Sequence, residues 1–149
     1  MKLVAVISDT HNVLRPEVIA VLKQADSIIH AGDCTTQEIV DRIADLAPLT
    51  VVRGNNDRDQ AMHLPKEARI TIEGVRICVV HDYADIPEDL MEIDLVIYGH
   101  SHKYACERRD AVTILNPGSC GRRRFHLALS MCMLRIENGH YQIEKIDLD

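Results

Sequence analysis

Two histidines stand one residue apart at the point where an apolar run of the sequence ends. The run covers residues 94–98, Gly99 follows it, and His100 and His102 come next. A single histidine in such a place is usually a hydrogen-bonded polar residue. Two imidazoles at this spacing also suit a bound metal ion. The pair alone leaves both interpretations open, and the other apolar runs decide between them.

Four further apolar runs, at residues 3–7, 27–31, 49–52 and 76–80, are also followed by polar residues of metal-ligating type. The five run ends together supply seven candidate ligands, which are Asp9, His11, Asp33, Asn55, His81, His100 and His102. Carboxylate, imidazole and amide oxygen in one set suit Mn, Fe, Ni or Zn better than Ca. Seven ligands exceed the need of one ion and match two ions about 3.5–4 Å apart that share a bridging aspartate.

The runs must be strands that bring these side chains together. They are predicted to alternate with two helices, one beginning at Pro16 and one capped by Thr35 or Thr36 and ended by Pro48. Further strands are predicted over residues 103–109, 112–115, 127–137 and 141–146, the last two joined by a turn at Asn138-Gly139. The carboxyl ends of such α/β strands converge on one crevice, so we expect an α/β sandwich of two sheets flanked by helices with the ligands at one edge.

Length and composition favour an ordinary soluble domain over residues 1–149. The net charge of −6 disfavours nucleic acid as the main partner, and no apolar stretch approaches the roughly 20 residues of a membrane span. Five cysteines occur without a CxxC pair, which argues against a disulfide framework and for a reducing cytoplasm. The expected location is therefore cytoplasmic.

The order of the motifs resembles that of the calcineurin-like metallophosphoesterases. Their pattern D-x-H, G-D, G-N-x-[DE], H and G-H-x-H is present as Asp9-Thr10-His11, Gly32-Asp33, Gly54-Asn55-Asn56-Asp57, His81 and Gly99-His100-Ser101-His102. The short chain and the turn at residues 116–119, Asn-Pro-Gly-Ser, are similar to the small prokaryotic phosphodiesterases, whose compact fold the retromer scaffold subunit shares.

The resemblance implies a four-layer αββα sandwich of two mixed sheets and two divalent ions per chain. Mn is the expected metal, with Fe, Ni or Zn as alternatives. Asp33 is expected to bridge the ions, with Asp9, His11 and His102 on the first and Asn55, His81 and His100 on the second.

The implied function is hydrolysis of a small phosphodiester or phosphate ester. A water bound to the two ions, with its pKa lowered towards about 7, would attack as hydroxide. A non-catalytic metal-binding scaffold of the same fold and a nuclease are the alternatives. A homodimer or homotetramer is implied by resemblance only.

Four further residues are candidates for catalysis or substrate binding. Asp57 is expected to orient a ligand or its loop. Asn56 stands where many family members have a histidine, and an amide cannot act as a general acid, so the acid stays unassigned. Arg122 and Arg123 are candidate phosphate contacts, although a solvated loop explains them equally well.

Overall fold

The computed structural model describes residues 1–55, 57, 63–121, 123 and 126–148. In order along the chain its elements are β1 (Lys2–Ile7), α1 (Pro16–Leu22), β2 (Ser27–His30), α2 (Gln37–Ala44), β3 (Leu49–Val51), β4 (Glu67–Ile72), β5 (Val75–Val80), a 3₁₀ turn (Tyr83–Asp85), β6 (Leu95–Ile97), β7 (Ala105–Arg109), β8 (Val112–Asn116), β9 (Ser130–Glu137) and β10 (His140–Asp147). None of the helices in this part of the chain has the length and apolar character needed to cross a bilayer.

The strands form two five-stranded sheets, each with three adjacent parallel strands. Sheet A has the order β10-β9-β1-β2-β3, and sheet B has the order β4-β5-β6-β8-β7. In sheet A, β1, β2 and β3 are parallel, while β9 runs antiparallel to β1 and β10. In sheet B, β5, β6 and β8 are parallel and the edge strands β4 and β7 are antiparallel. The predicted α/β sandwich of two mixed sheets is confirmed.

The main core lies between the two sheets, where Val6 and Ile29 of sheet A pack in one buried cluster with Val79 and Ile97 of sheet B. A second core lies on the outer face of sheet A, which α1 and α2 cover. Both helices begin where the sequence predicts, because Pro16 occupies the first turn of α1 and Thr36 is the N-cap of α2. The Thr36 hydroxyl donates to Asn12 instead of capping the helix.

The outer face of sheet B is covered by the segment after β5. Ile86, Leu90 and Ile93 of this segment pack on sheet B. The layer contains a 3₁₀ turn followed by irregular chain with a turn at residues 91–92, where the sandwich pattern suggests an α-helix. Pro87 explains the difference, because a residue before proline is disfavoured in the α region, and Ile86 is extended at φ −63° and ψ 127°.

Strand β4 was not predicted from the sequence. It pairs only with β5 at the edge of sheet B, and its polar residues Glu67, Arg69 and Thr71 alternate with partly buried apolar ones. A single covered face gives this alternation, whereas the central strand β6 is apolar throughout because both of its faces are covered. Its period of two is the signal that could have revealed it.

Candidate metal centre

Loops from both sheets meet at one edge of the sandwich and bring the candidate ligands into two clusters. The first cluster contains Asp9, His11 and His102, whose ligand atoms lie within 4.8 Å of one another. The Nε2 atoms of His11 and His102 are 3.2 Å apart. Oδ1 of Asp9 lies 3.8 Å from the first of these and 3.6 Å from the second.

The second cluster contains Asp33, His81 and His100 within the same 4.8 Å limit. Oδ2 of Asp33 is 3.2 Å from Nε2 of His81. The amide oxygen of Asn55 lies between the two imidazoles, 3.0 Å from Nε2 of His81 and 3.1 Å from Nδ1 of His100. His100 and His102 therefore lie in different clusters, although one residue separates them.

Asp33 belongs to the second cluster and also lies close to the first. Its Oδ2 atom is 3.5 Å from Nε2 of His11 in the first cluster and 3.2 Å from Nε2 of His81 in the second. The side chain is almost completely buried, so water does not screen its charge. A single carboxylate in this position is within reach of both sets of donors, as a bridging ligand must be.

The backbone of the site is strained. Five of the seven candidate ligands have a left-handed φ, at 57° for Asp9, 47° for His11, 64° for Asp33, 74° for His100 and 64° for His102. Each such residue costs roughly 1–3 kcal/mol unless the surrounding structure holds it, and such strain concentrates at functional sites. Backbone hydrogen bonds between the loops hold two of them, from Asp9 to the Gly32 carbonyl and from His11 to the Asp33 carbonyl, both at 3.0 Å.

Two glycines allow the loops to come this close. A Cβ atom at Gly54 would overlap the carboxylate of Asp33, and one at Gly99 would overlap the Ser8 hydroxyl and lie 3.0 Å from Oδ2 of Asp9. A side chain at either position would displace a carboxylate of the site.

Asp57 lies among the backbone of these loops. Its carboxylate accepts hydrogen bonds from the backbone N–H groups of Asp33 at 3.1 Å, Thr35 at 2.7 Å and Gly54 at 2.6 Å. These bonds join the loop after β2 to the loop after β3. Asp57 thus positions the segment that carries Asp33, and neither ligand cluster includes it.

His30 is a buried histidine at the end of β2, next to the loops that carry the ligands. Gly32 N–H donates to its Nδ1 at 3.0 Å, so the ring proton is on Nε2, which donates to the Thr10 hydroxyl at 3.1 Å. Burial lowers its pKa to about 4, against the opposing pull of Asp57 and Asp9. The neutral ring joins the loops after β1 and β2 through these two hydrogen bonds.

Asn116 and Ser119 position the loops that carry the ligands. They belong to the turn at residues 116–119, a motif of the sequence whose contacts the sequence does not predict. Nδ2 of Asn116 donates to the Gly99 carbonyl at 3.2 Å and to the Ser101 hydroxyl at 3.1 Å. The Ser119 hydroxyl donates to the backbone carbonyl of Asp9 at 3.1 Å. The turn therefore holds the backbone beside ligands of both clusters.

The electrostatic field of the site favours positive charge. Burial acts to lower the pKa of His81, but its hydrogen bond with Asp33 and the charges of Asp9 and Asp33 outweigh burial and raise the pKa to about 9. Two buried carboxylates therefore stabilise a cation at this position.

The donor set fits divalent metal ions. Oδ1 of Asp9 is buried and accepts no hydrogen bond from the described part of the chain. It lies between 3.6 and 4.0 Å from the Nε2 atoms of three histidines, His11, His81 and His102. A buried carboxylate oxygen without a hydrogen bond needs a partner, and a cation among the imidazoles would supply one. Mixed oxygen and nitrogen donors match the transition metals.

The remaining predicted residues are placed as follows. Asn56 and Arg122 lie outside the described residues. Arg123 is exposed, and its Nη1 donates to the Leu127 carbonyl at 3.4 Å. Asp82, which follows His81, has Oδ2 3.9 Å from Nε2 of His100, while its Oδ1 caps the 3₁₀ turn at Ala84.

Comparison with known proteins decides the family. The model of the calcineurin-like phosphoesterase superfamily domain matches residues 1–139. The chain belongs to this superfamily. The superfamily is one of metal-dependent enzymes, and the two donor clusters of this calcineurin-like phosphoesterase lie within the matched residues.

Individual relatives support the assignment to this superfamily. The chain is 32% identical over 131 residues to a probable metallophosphoesterase of Methanothermobacter thermautotrophicus, an alignment that covers 78% of this chain and 76% of the relative. Its fold is similar to that of an archaeal phosphodiesterase, with a TM-score of 0.79, 22% identity and coverage of 97% and 99% of the two chains. It is also similar to a mutant Vps29 of Entamoeba histolytica, with a TM-score of 0.78, 24% identity and 99% coverage of both chains.

Proposed function

We propose that this calcineurin-like phosphoesterase is a phosphodiesterase that uses two divalent metal ions, with Asp33 as their shared ligand. The observation that carries the proposal is the position of the Asp33 carboxylate, 3.5 Å from His11 in one cluster and 3.2 Å from His81 in the other. The likeness to an archaeal phosphodiesterase supports the choice of diesters. Mn is the expected metal, and the single domain over residues 1–149 and the cytoplasmic location remain predictions.

Each group of site residues has its own role in the proposed activity. When bound, two divalent ions would activate a water molecule and polarise the phosphoryl group. The buried carboxylates of Asp9 and Asp33 supply the negative charge that draws cations in, and the four histidines would supply nitrogen donors, with a bound ion displacing the proton of His81. The amide oxygen of Asn55 lies between His81 and His100 and would complete the donor set of the second ion.

The nearby thiols are poor candidates for the nucleophile. Burial raises the pKa of Cys120 to about 12, and burial with the charges of Asp57 and Asp33 raises the pKa of Cys34 well above its usual value. Neither thiol ionises near neutral pH, and a thiolate is the reactive form of cysteine. Water is therefore the proposed nucleophile, and the acid that protonates the leaving group stays unassigned.

The test is hydrolysis of bis(p-nitrophenyl) phosphate by protein loaded with Mn²⁺. We expect activity that depends on the metal, and a loss of at least about 100-fold in kcat in Asp33→Asn, because the amide is neutral and cannot hold two cations. Asp45→Asn, a change at an exposed position beyond α2, is the matched control and should keep wild-type activity. Undiminished hydrolysis by Asp33→Asn would refute the bridging role of this residue.

A non-catalytic scaffold is the second candidate function, and the fold shared with Vps29 along nearly the whole chain favours it. Under this alternative the protein binds metal but hydrolyses no phosphate ester. Metal content measured on the same preparation as the hydrolysis assay separates the two functions. Bound Mn²⁺ without turnover of any ester would favour the scaffold.

A further inference from the structure

A polar cleft of about 290 Å³ opens beside the candidate metal centre. Its lining includes His81 of the second donor cluster and Asn55, whose amide oxygen contacts both histidines of that cluster, so a group in the cleft lies next to whatever the cluster binds. This volume is just below the range for whole small-molecule sites, roughly 300–1,000 Å³, and suits one small substituent of a larger ligand.

The cleft is lined by charges of both signs. Arg53 and Lys66 contribute two cations, and Asp82 and Asp85 contribute two carboxylates. The two aspartates stand three residues apart across the 3₁₀ turn, a spacing that places both side chains on one side of it. Lys66 and Asp85 are exposed, so their charged groups are accessible to a ligand.

The lining contains no aliphatic side chain, since Gly54 is the one remaining described residue at its wall. Most small-molecule sites are predominantly apolar, with a few polar groups that fix orientation. An aryl or alkyl group would gain little here, because it would remove charged side chains from water without replacing their hydrogen bonds. An anionic group would meet two carboxylates, and a cationic group would meet an arginine and a lysine.

We propose that this cleft binds one ester group of the substrate and selects an uncharged, hydroxyl-rich alcohol such as glycerol or a sugar. Hydroxyl groups donate to Asp82 and Asp85 and accept from Arg53 and Lys66, so the alcohol uses both signs of charge. The proposal rests on the phosphodiesterase function proposed above and adds the substrate class to it. It also assigns substrate contacts to Lys66 and Arg53.

Three diesters that share p-nitrophenol as leaving group test the cleft, since only the second ester group differs. The second group is glyceryl, butyl or carboxypropyl, which are similar in size and differ in polarity and charge. We expect kcat/KM for the glyceryl ester to exceed that for the butyl ester by at least about tenfold, through KM, which corresponds to about one hydrogen bond to a charged group. Lys66→Ala and Asp85→Ala should each bring this ratio towards one.

Lys23→Ala is the matched control, because Lys23 is an exposed lysine at the end of α1 outside the cleft, and it should keep the wild-type ratio. Equal use of glyceryl and butyl esters, a preference that survives in both cleft variants, or a preference for the carboxypropyl ester would overturn the proposal.

Failure of the phosphodiesterase function itself gives a different result, in which no ester is hydrolysed. Calorimetric titration of the Mn²⁺-loaded protein with glycerol 3-phosphate and butyl phosphate then tests polyol binding in the cleft independently of hydrolysis. Tighter binding of glycerol 3-phosphate that Lys66→Ala abolishes supports the cleft as a polyol site. Equal binding of the two monoesters overturns it.

Discussion

Asp57 is the residue on which the geometry around Asp33 depends. One buried carboxylate accepts three backbone hydrogen bonds, from Asp33, Thr35 and Gly54. Hydrogen bonds to an ionised acceptor are about twice as strong as neutral ones, and buried N–H groups without an acceptor are costly. Asp57 therefore offsets part of the strain of the left-handed residues Asp33 and Thr35.

Asp57→Ala is expected to lower the free energy of unfolding by about 2–4 kcal/mol, because three backbone donors lose their acceptor. Urea denaturation of the two proteins measures the change. Asp45→Ala, at an exposed position, should stay within about 0.5 kcal/mol of the wild type. Equal stability of Asp57→Ala and the wild type would show that the carboxylate does not hold these loops.

Residue positions in the site were predictable where the signal is local. Asp9, Asp33 and His81 each follow an apolar strand within three residues, so their place at the strand ends could be predicted from spacing. The partners of Asp57 and Asn116 could not, because Asp33 is 24 residues from Asp57 and Gly99 is 17 residues from Asn116. Such contacts depend on how the two sheets pack, which the chain pattern does not specify.

The turn after β8 and the loop after β6 act as one element. Asn116 binds the Gly99 carbonyl and the Ser101 hydroxyl, and these two residues flank His100 in the chain. His100 and His102 both have a left-handed φ, so the loop needs this external support. The turn positions one histidine of each cluster.

Asn116→Ala is expected to weaken Mn²⁺ binding at both clusters by about tenfold, as loss of supporting contacts around metal ligands commonly does. Calorimetric titration with Mn²⁺ measures both affinities. Ser130→Ala is the matched control, because it removes the hydrogen bond to the Pro117 carbonyl of the same turn and leaves the Gly99 and Ser101 contacts intact. Loss of affinity in the control alone would mean that the turn as a whole matters and Asn116 does not.

The five apolar runs became strands β1, β2, β3, β5 and β6, as the sequence predicts. Strand β10, with one polar face, was also predicted because the Asn138-Gly139 turn precedes it, whereas β4, without such a turn signal in the prediction, was not. The cover of sheet B was also outside prediction. Ile86, Leu90 and Ile93 have the i, i+4, i+7 spacing of a helix, but Ile86 is held extended before Pro87 and the segment forms a 3₁₀ turn without an α-helix.

At the scale of the whole molecule, each cluster takes residues from both sheets. Loops of sheet A carry Asp9, His11, Asp33 and Asn55, and loops of sheet B carry His81, His100 and His102. The inter-sheet core therefore sets the distances among the ligands. Ions bound at the clusters would in turn join the two sheets and stabilise the sandwich.

Mn²⁺ at 100 times its dissociation constant is expected to raise the free energy of unfolding by about 2.7 kcal/mol per site, because the ligands come together only in the folded chain. Urea denaturation with and without Mn²⁺ measures the increase. Ca²⁺ at the same concentration serves as the control and should stabilise less, since it prefers oxygen ligands alone and four of the seven candidates are histidines. Equal stabilisation by both ions would contradict the mixed donor site.

The central claim is that each of the two clusters holds one metal ion, with His100 in one cluster and His102 in the other. Anomalous diffraction from crystals grown with Mn²⁺ tests it most directly, recorded for the wild type, His100→Ala and His102→Ala. The claim predicts two peaks on either side of Asp33 in the wild type. His100→Ala should lose chiefly the peak beside His81, and His102→Ala chiefly the peak beside His11. A single peak in the wild type, or loss of the same peak in both variants, would contradict it.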